Sequence, residues 1–303
     1  MEGILPVYKE AGMTSHDVVF KLRKILRTKK IGHAGTLDPS VDGVLPIAIG
    51  KATKSIEFLQ DAGKVYTGMV TLGFSTTTED LDSEIVAETF LTQPIEAHVI
   101  DQAMQTLEGD IIQIPPMYSA VKVNGRRLYD YARAGETVER PKRDATIYEF
   151  KRTSDLNFDP VTQTQSFAFK AVVSKGTYIR TLAVDLGQKL ELASVMSQLT
   201  RQAAGGYTLA DSHSLTDVKT QMETVGNIDD WLWSIDSAVA QFKQVEIDDV
   251  VWDRVKHGIG LPNDQYPRTD DKIAVVYGGE VKSIFEWSER KDQYRPYRTF
   301  KTE

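Results

Sequence analysis

The chain has 303 residues, 41% hydrophobic and 26% charged, an ordinary globular composition long enough for one large or two ordinary cores. It contains no cysteine, five scattered histidines without ligand spacing, no apolar run near the ~20 residues that span a bilayer and no signal-like N-terminus, which disfavours disulfides, zinc and membranes and leads to the expectation of a cytoplasmic protein. The net charge of −7 would argue against a nucleic-acid partner if taken globally, but the position of the cations decides that question.

Leu5 to Gly12 predict a short strand and turn. Thr14 or Ser15 then supplies an N-cap, Asp17 suits the helix dipole, and Val18, Val19, Leu22, Ile25 and Leu26 recur at helical spacing. The polar face of this helix carries Lys21, Arg23, Lys24 and Arg27, followed by Lys29 and Lys30, with no acid among them. Such a cluster is usually a solvated face. Here it leads into the most informative stretch, Ile31 to Lys54, which reads IGHAGTLDPSVDGVLPIAIGKATK. Two glycines bracket His33, and Asp38 stands directly before Pro39, which pushes it towards extended backbone. Asp38 is therefore expected on a stiff loop, although Asp-Pro alone more often opens a turn than performs chemistry. A second turn follows at Asp42-Gly43, and Val44 to Ile49 reads as a buried strand.

Ala52 to Ala62 predicts a helix ended near Gly63. KVYTGMVTLG, from Lys64, alternates as a strand in which Tyr66 by itself would be a core or sheet-face aromatic. Ser75 to Asp82 is a polar loop, and Ile95 to Leu107 a helix closed by Gly109. Pro115, Pro116 and a hairpin-type Asn124-Gly125 turn bracket a short strand. A second basic segment follows, with Lys122, Arg126, Arg127, Arg133, Arg140, Lys142 and Arg143 diluted by Asp130, Glu136 and Glu139. Ala145 to Lys151 and Ser166 to Ser174 read as strands. The next loop enters a helix whose buried face is Ile179, Leu182, Ala183 and Leu186; Arg180 shares its first turn, where a partnered structural arginine is the default. Beyond Asp211 the sequence is acidic, with Trp231, Trp233 and Trp252 expected to pack. Strand-like runs at Lys272 to Tyr277 and Val281 to Phe285 surround Gly278-Gly279.

Several of these stretches together resemble the TruB family of tRNA pseudouridine synthases. They are Lys9 with GMTSHDVV, GHAGTLDP with DGVLPIAIGKATK, KVYTGMVTLG, PPMYSAVKVNGRRLYDYARAGETVERPKR, KGTYIRTLAVDLG and LTRQAAGGY, spread from about Leu5 to Tyr207. The resemblance implies that Asp38 is the catalytic carboxylate, that Tyr66 stacks on the target base and that Arg180 pairs with Asp38. It places His33 on the RNA side of the site and brings Lys9, Tyr178, Leu199 and Arg201 into the RNA-binding set. The two basic segments, represented by Lys21, Arg23, Lys122, Arg126 and Arg127, are expected to contact phosphates.

The implied fold is α+β: a pseudouridine synthase fold with a mixed, largely antiparallel sheet and flanking helices. It would occupy residues 1–236, with an RNA-binding insertion around 110–145, before a small PUA-like β domain over 237–303. The implied reaction is isomerisation of the T-loop uridine at position 55 of tRNA, by a monomer that binds the T arm and uses no metal, nucleotide or other cofactor. The chain departs from the family pattern at Tyr8 and Glu10, where Asp and Pro are usual. It departs again at Ser40, Val41 and Asp42, where an apolar residue, Ala and Thr are usual, and at Thr200 and Gln202, in place of Arg and Thr.

A P-loop is excluded, because G-x-x-x-x-G-K-[ST] would require Gly at Leu45 and Ser or Thr at Ala52. No G-x-S-x-G supports a serine hydrolase. The alternative is a non-catalytic RNA-binding or tRNA-folding chaperone on the same fold. Such a protein would need the basic segments but not Asp38, Tyr66 and Arg180 together.

Overall fold

The computed structural model describes residues 1–301 and opens with strand β1 (Gly3–Lys9), helix α1 (Ser15–Ile25) and strands β2 (Ile31–His33) and β3 (Asp42–Ile49). Alternation along β3 sends Val44 and Ala48 into one core, and Leu45, Ile47 and Ile49 into another on the opposite face. α1 covers the second face with Val18, Val19, Leu22 and Leu26. Its start is fixed by a reciprocal capping box in which Thr14 and Asp17 bond each other's backbone N–H.

The chain continues through α2 (Ile56–Asp61), β4 (Lys64–Leu72), β5 (Phe74–Thr76), β6 (Ile85–Glu88), α3 (Ala97–Gln105) and β7 (Gly109–Gln113). Short strands β8 (Lys122–Val123) and β9 (Arg126–Arg127) flank the Asn124-Gly125 turn, with α4 (Leu128–Arg133) after them. Then come β10 (Arg143–Arg152), β11 (Asn157–Asp159), β12 (Thr164–Val173), α5 (Ile179–Lys189) and β13 (Ser194–Ala204). The main sheet runs β1-β3-β13-β4-β12-β10-β7. Its neighbours are antiparallel except β3 and β13, the mixed and largely antiparallel arrangement expected. Alternate residues Phe167, Phe169, Ala171 and Val173 of β12 meet the α5 face of Ile179, Leu182, Ala183 and Leu186 in one core.

Two local expectations are corrected. Ala52 to Ala62 is not one helix: a tight 3-10 turn over Gly50–Ser55 precedes α2. The Thr53 and Ser55 hydroxyls bond the carbonyls three residues back, at 2.8 Å each, which favours that tighter winding. Ser75 to Asp82 is not merely a loop, since β5 pairs with β6 and the polar residues form the bend of a hairpin. Serines and threonines read as loop by polarity, yet β-branched threonine suits a strand.

After β14 (Tyr207–Thr208) and α6 (Leu215–Thr224), a second sheet is built from β15 (Lys243–Glu246), β16 (Leu261–Pro262), β17 (Lys272–Tyr277), β18 (Glu280–Ser288) and β19 (Gln293–Thr299), with helix α7 (Asp249–Val255) against it. Its order is β15-β17-β18-β19-β16. Its inner face does not stand apart from the main sheet. Ala48, Phe58 and Leu59 share a buried cluster with Val276, Ile284 and Phe300. Trp252 stacks on Tyr277, and Trp231 stacks on His213, as expected of packing residues; Trp233 meets Tyr207 edge-on but stays 44% exposed.

Candidate active site

Across the main sheet the register aligns Lys9, Gly43, Arg201, Tyr66 and Ala171 on five neighbouring strands. The loop between β2 and β3 lies at this row, and buried cations hold it. Lys9 Nζ donates to the Val41 carbonyl at 2.6 Å and the Pro39 carbonyl at 3.3 Å. Arg201 donates to the carbonyls of Val44 at 2.7 Å, Gly35 at 3.3 Å and Thr36 at 3.4 Å. From the other side, Ser15 Oγ accepts the Leu37 N–H at 2.9 Å. Gly43 is required here, because a Cβ would lie 2.2 Å from the Arg201 carbonyl oxygen.

Lys9 is fully buried and Arg201 is 1% exposed, and both hold the loop from beneath; Arg201 also lines the cleft beside Asp38. The sequence gives each a charge but not its depth. Burial also depresses Lys9, to about 8, against the opposing pull of Asp42 and Asp38.

The fastened loop presents Asp38 to Arg180. One guanidinium nitrogen lies 3.0 Å from an Asp38 carboxylate oxygen and donates to the Tyr118 carbonyl, also at 3.0 Å. The other donates to the Thr78 carbonyl at 2.7 Å and lies 3.7 Å from Asp80. Arg180 is 6% exposed and held in place by backbone oxygens and two carboxylates. Asp80 is equally buried and restrained by the Asp82 N–H at 3.1 Å. Sequence reasoning missed Asp80, hidden in the hairpin bend; the only signal was a carboxylate among threonines. Beside it, Glu79 accepts from Thr181 Oγ1 at 2.7 Å, and burial raises its pKa.

Asp38 has two environments at once. Its side chain remains 41% exposed to a cleft, while protein encloses it on the other sides. Burial raises its pKa above the ordinary aspartate value; Arg180 opposes that rise and Asp80 adds to it. The carboxylate is thus paired yet reachable.

The cleft has a volume of about 680 Å³, within the range of small-ligand sites. Asp38, Tyr66, Tyr178, Arg180 and Leu199 all line it, so the structure brings these expected site residues together. Tyr178 caps α5, and its backbone is clamped at both ends by the Gln113 side chain, at 2.9 and 3.2 Å. Burial raises the Tyr178 phenol. Lys64, at the cleft wall, is pushed down to about 8, chiefly by burial and then by Arg201.

His33 is half-buried at the end of β2 and does not line this cleft; its ring meets His16 edge-on at 5.7 Å. Burial lowers its pKa. Lys21, Arg23, Lys122 and Arg127 are exposed. Arg23 donates to the Ile31 carbonyl at 3.1 Å, and Arg126 is tied to Glu136 at 2.8 Å within the 110–145 region.

A family model described as the N-terminal domain of TruB family pseudouridylate synthases matches residues 23–179. A protein of Levilactobacillus brevis named tRNA pseudouridine synthase B is 51% identical over 301 residues, covering 99% of both chains. One of the same name from Lacticaseibacillus paracasei is 52% identical over 296 residues, covering 98% of this chain and 96% of that one. Among solved structures, a crystal structure of a Cbf5-Nop10-Gar1 complex aligns with a TM-score of 0.74 at 26% identity, over 99% of this chain and 85% of that one.

Proposed function

The chain belongs to the TruB family of pseudouridylate synthases, and on that premise we propose that it isomerises the T-loop uridine at position 55 of tRNA to pseudouridine. The observation that carries the reading is the Asp38–Arg180 pair at 3.0 Å, opening onto a cleft that also holds Tyr66. The full-length similarity to proteins named tRNA pseudouridine synthase B supports tRNA as the substrate.

The reaction breaks the bond from C1′ to N1 of uracil and forms one from C1′ to C5. N1 gains a proton, and the C5 hydrogen leaves as a proton. The site must expose a carboxylate to the sugar and base, and keep the detached uracil while it turns. Asp38 supplies the carboxylate, fixed by Arg180. Tyr66 stacks on the base and relays the C5 proton. Tyr178 and Leu199 enclose the ring. The uridine leaves its stack to enter, at a cost of a few kcal/mol, and His33 fills the space it vacates.

Phosphate contacts come from Lys21, Arg23, Lys122, Arg126 and Arg127 on the T arm. Lys9 and Arg201 instead position the catalytic loop. The synthase unit spans residues 1–236, and the C-terminal sheet forms a PUA-like unit over 237–303. The proposed enzyme works in the cytoplasm as a monomer. Among the described residues, no helix is long and apolar enough to cross a membrane.

Tritium release from a T-arm RNA labelled at uridine C5 tests the reading, with wild type and Asp38→Asn compared. Release by wild type alone is expected. RNA binding without release by either would favour the chaperone reading.

A further inference from the structure

The outer face of α1 carries a row that the chemistry above does not use. His16, Phe20 and Lys24 follow at intervals of four residues, so each lies one turn beyond the last on the same face. All three are exposed, Phe20 at 56%. The His16 ring meets His33 edge-on at 5.7 Å, and Lys24 Nζ lies 4.3 Å from the centre of the Phe20 ring. The row therefore begins at His33, close to the catalytic loop, and ends in an ammonium group.

Its surroundings select the partner. Lys21, Arg27, Lys29 and Lys30 are exposed on or just after the same helix, and no acid occurs from Lys21 to Lys30. A phenyl ring left open to water gains little by itself, and the cations around it attract a polyanion rather than an apolar protein surface. An unpaired nucleotide offers both complements, an aromatic face and a phosphate.

Resting on the RNA substrate proposed above, we propose that Phe20 and Lys24 form a stacking subsite for an unpaired nucleobase other than the one that enters the cleft. The base stacks on Phe20, and the Lys24 ammonium moves from the ring to the adjoining phosphate. An exposed cation–π contact is weaker than a base–aromatic stack, so this exchange runs towards the bound state. Arg23, which donates to the Ile31 carbonyl, has no part in this stack.

The test is equilibrium binding of a fluorescein-labelled T-arm hairpin RNA to the full chain, followed by anisotropy over a series of salt concentrations. Phe20→Ala should weaken binding on the order of tenfold without changing the salt slope. Phe20→Trp should retain the wild-type affinity, and Lys24→Ala should reduce the slope by about one. Phe20 is exposed, so these substitutions leave the core intact, and a thermal melt verifies it. An affinity of Phe20→Ala within twofold of wild type would overturn the subsite, as would a Phe20→Trp variant that binds no better than Phe20→Ala. Tritium release by wild type separates this outcome from the reaction itself. Release with Phe20-independent binding removes only the subsite. Phe20-dependent binding without release keeps the subsite and removes the reaction.

Discussion

Tyr8 on β1 donates its phenolic hydroxyl to an Asp42 carboxylate oxygen at 2.8 Å, at the point where β3 leaves the Asp38 loop. Both residues depart from the pattern of the family, which usually has Asp at the first position and Thr at the second. Where the usual pattern offers a carboxylate and then a hydroxyl, this chain places a hydroxyl and then a carboxylate. The two departures thus make one contact. Tyr8 titrates higher than an ordinary tyrosine, first because of that hydrogen bond and then through burial. Tyr8→Phe and Asp42→Ala should each lower stability by about 1 kcal/mol, and the double variant should lose less than the sum. Denaturant midpoints at constant slope would measure it; strict additivity would show that the contact contributes nothing.

Arg180 is more than the counter-ion of Asp38. It bonds two backbone carbonyls and faces two carboxylates through its two terminal nitrogens, held in one plane. A lysine ammonium keeps the charge but cannot reproduce that fork. Arg180→Lys should therefore lose roughly 100-fold or more in the single-turnover rate while retaining RNA affinity, consistent with displacement of positioned groups. Near-normal turnover would mean that positive charge alone suffices.

The arrangement around Asp38 also sets a pH dependence. Its pKa is raised by burial, with Asp80 adding to the rise and Arg180 opposing it. If the reaction needs the carboxylate, its acidic limb lies above the pH of an unperturbed aspartate. Asp80→Asn removes a raising influence, so that limb should move to lower pH even if the maximal rate falls. Stability carries the matching sign. Between the unfolded and the raised folded pKa the native state binds the extra proton, so stability falls as pH rises through that window. Asp38→Asn should accordingly abolish turnover at pH 7 without lowering the melting temperature. A marked loss of stability would mean that the Arg180 pairing outweighs burial.

The difference between what could and could not be read from the sequence lies in the range of the contacts. Helix α1, the buried face of α5 and the stiff Asp38 loop follow from spacing, capping and the proline, all local in the chain. Asp38, Tyr66 and Arg180 were recognised through motif resemblance, and only the fold brings them to one cleft. The depth of Lys9 and Arg201 was not legible, because charge usually marks a surface, whereas here it is satisfied by the carbonyls of a distant loop. Asp80 was missed for the complementary reason. Its partner Arg180 is 100 residues away in sequence, and nothing in the threonine-rich bend signals that it is buried.

The C-terminal sheet is joined to the synthase unit by more than a linker. Phe58 of α2 meets Phe242 and Phe300 edge-on, and Val276 and Ile284 complete the same buried cluster. Around its edge, Glu57 accepts from the Tyr297 hydroxyl at 2.8 Å and from Arg298, while Lys54 donates to the Thr299 carbonyl at 2.7 Å. Ending the chain after Asp236 would uncover Phe58 and Leu59 and remove several buried partners, each worth about 1.5–3 kcal/mol. The loss would total several kcal/mol, so the shortened protein should melt on the order of 10 °C or more below the full chain and should aggregate on heating. Its binding of T-arm RNA, measured below that melting temperature, separates two roles for the sheet. Retained affinity would make it a buttress of the synthase core, and weakened affinity with an intact near-ultraviolet spectrum would make it part of the RNA-binding surface.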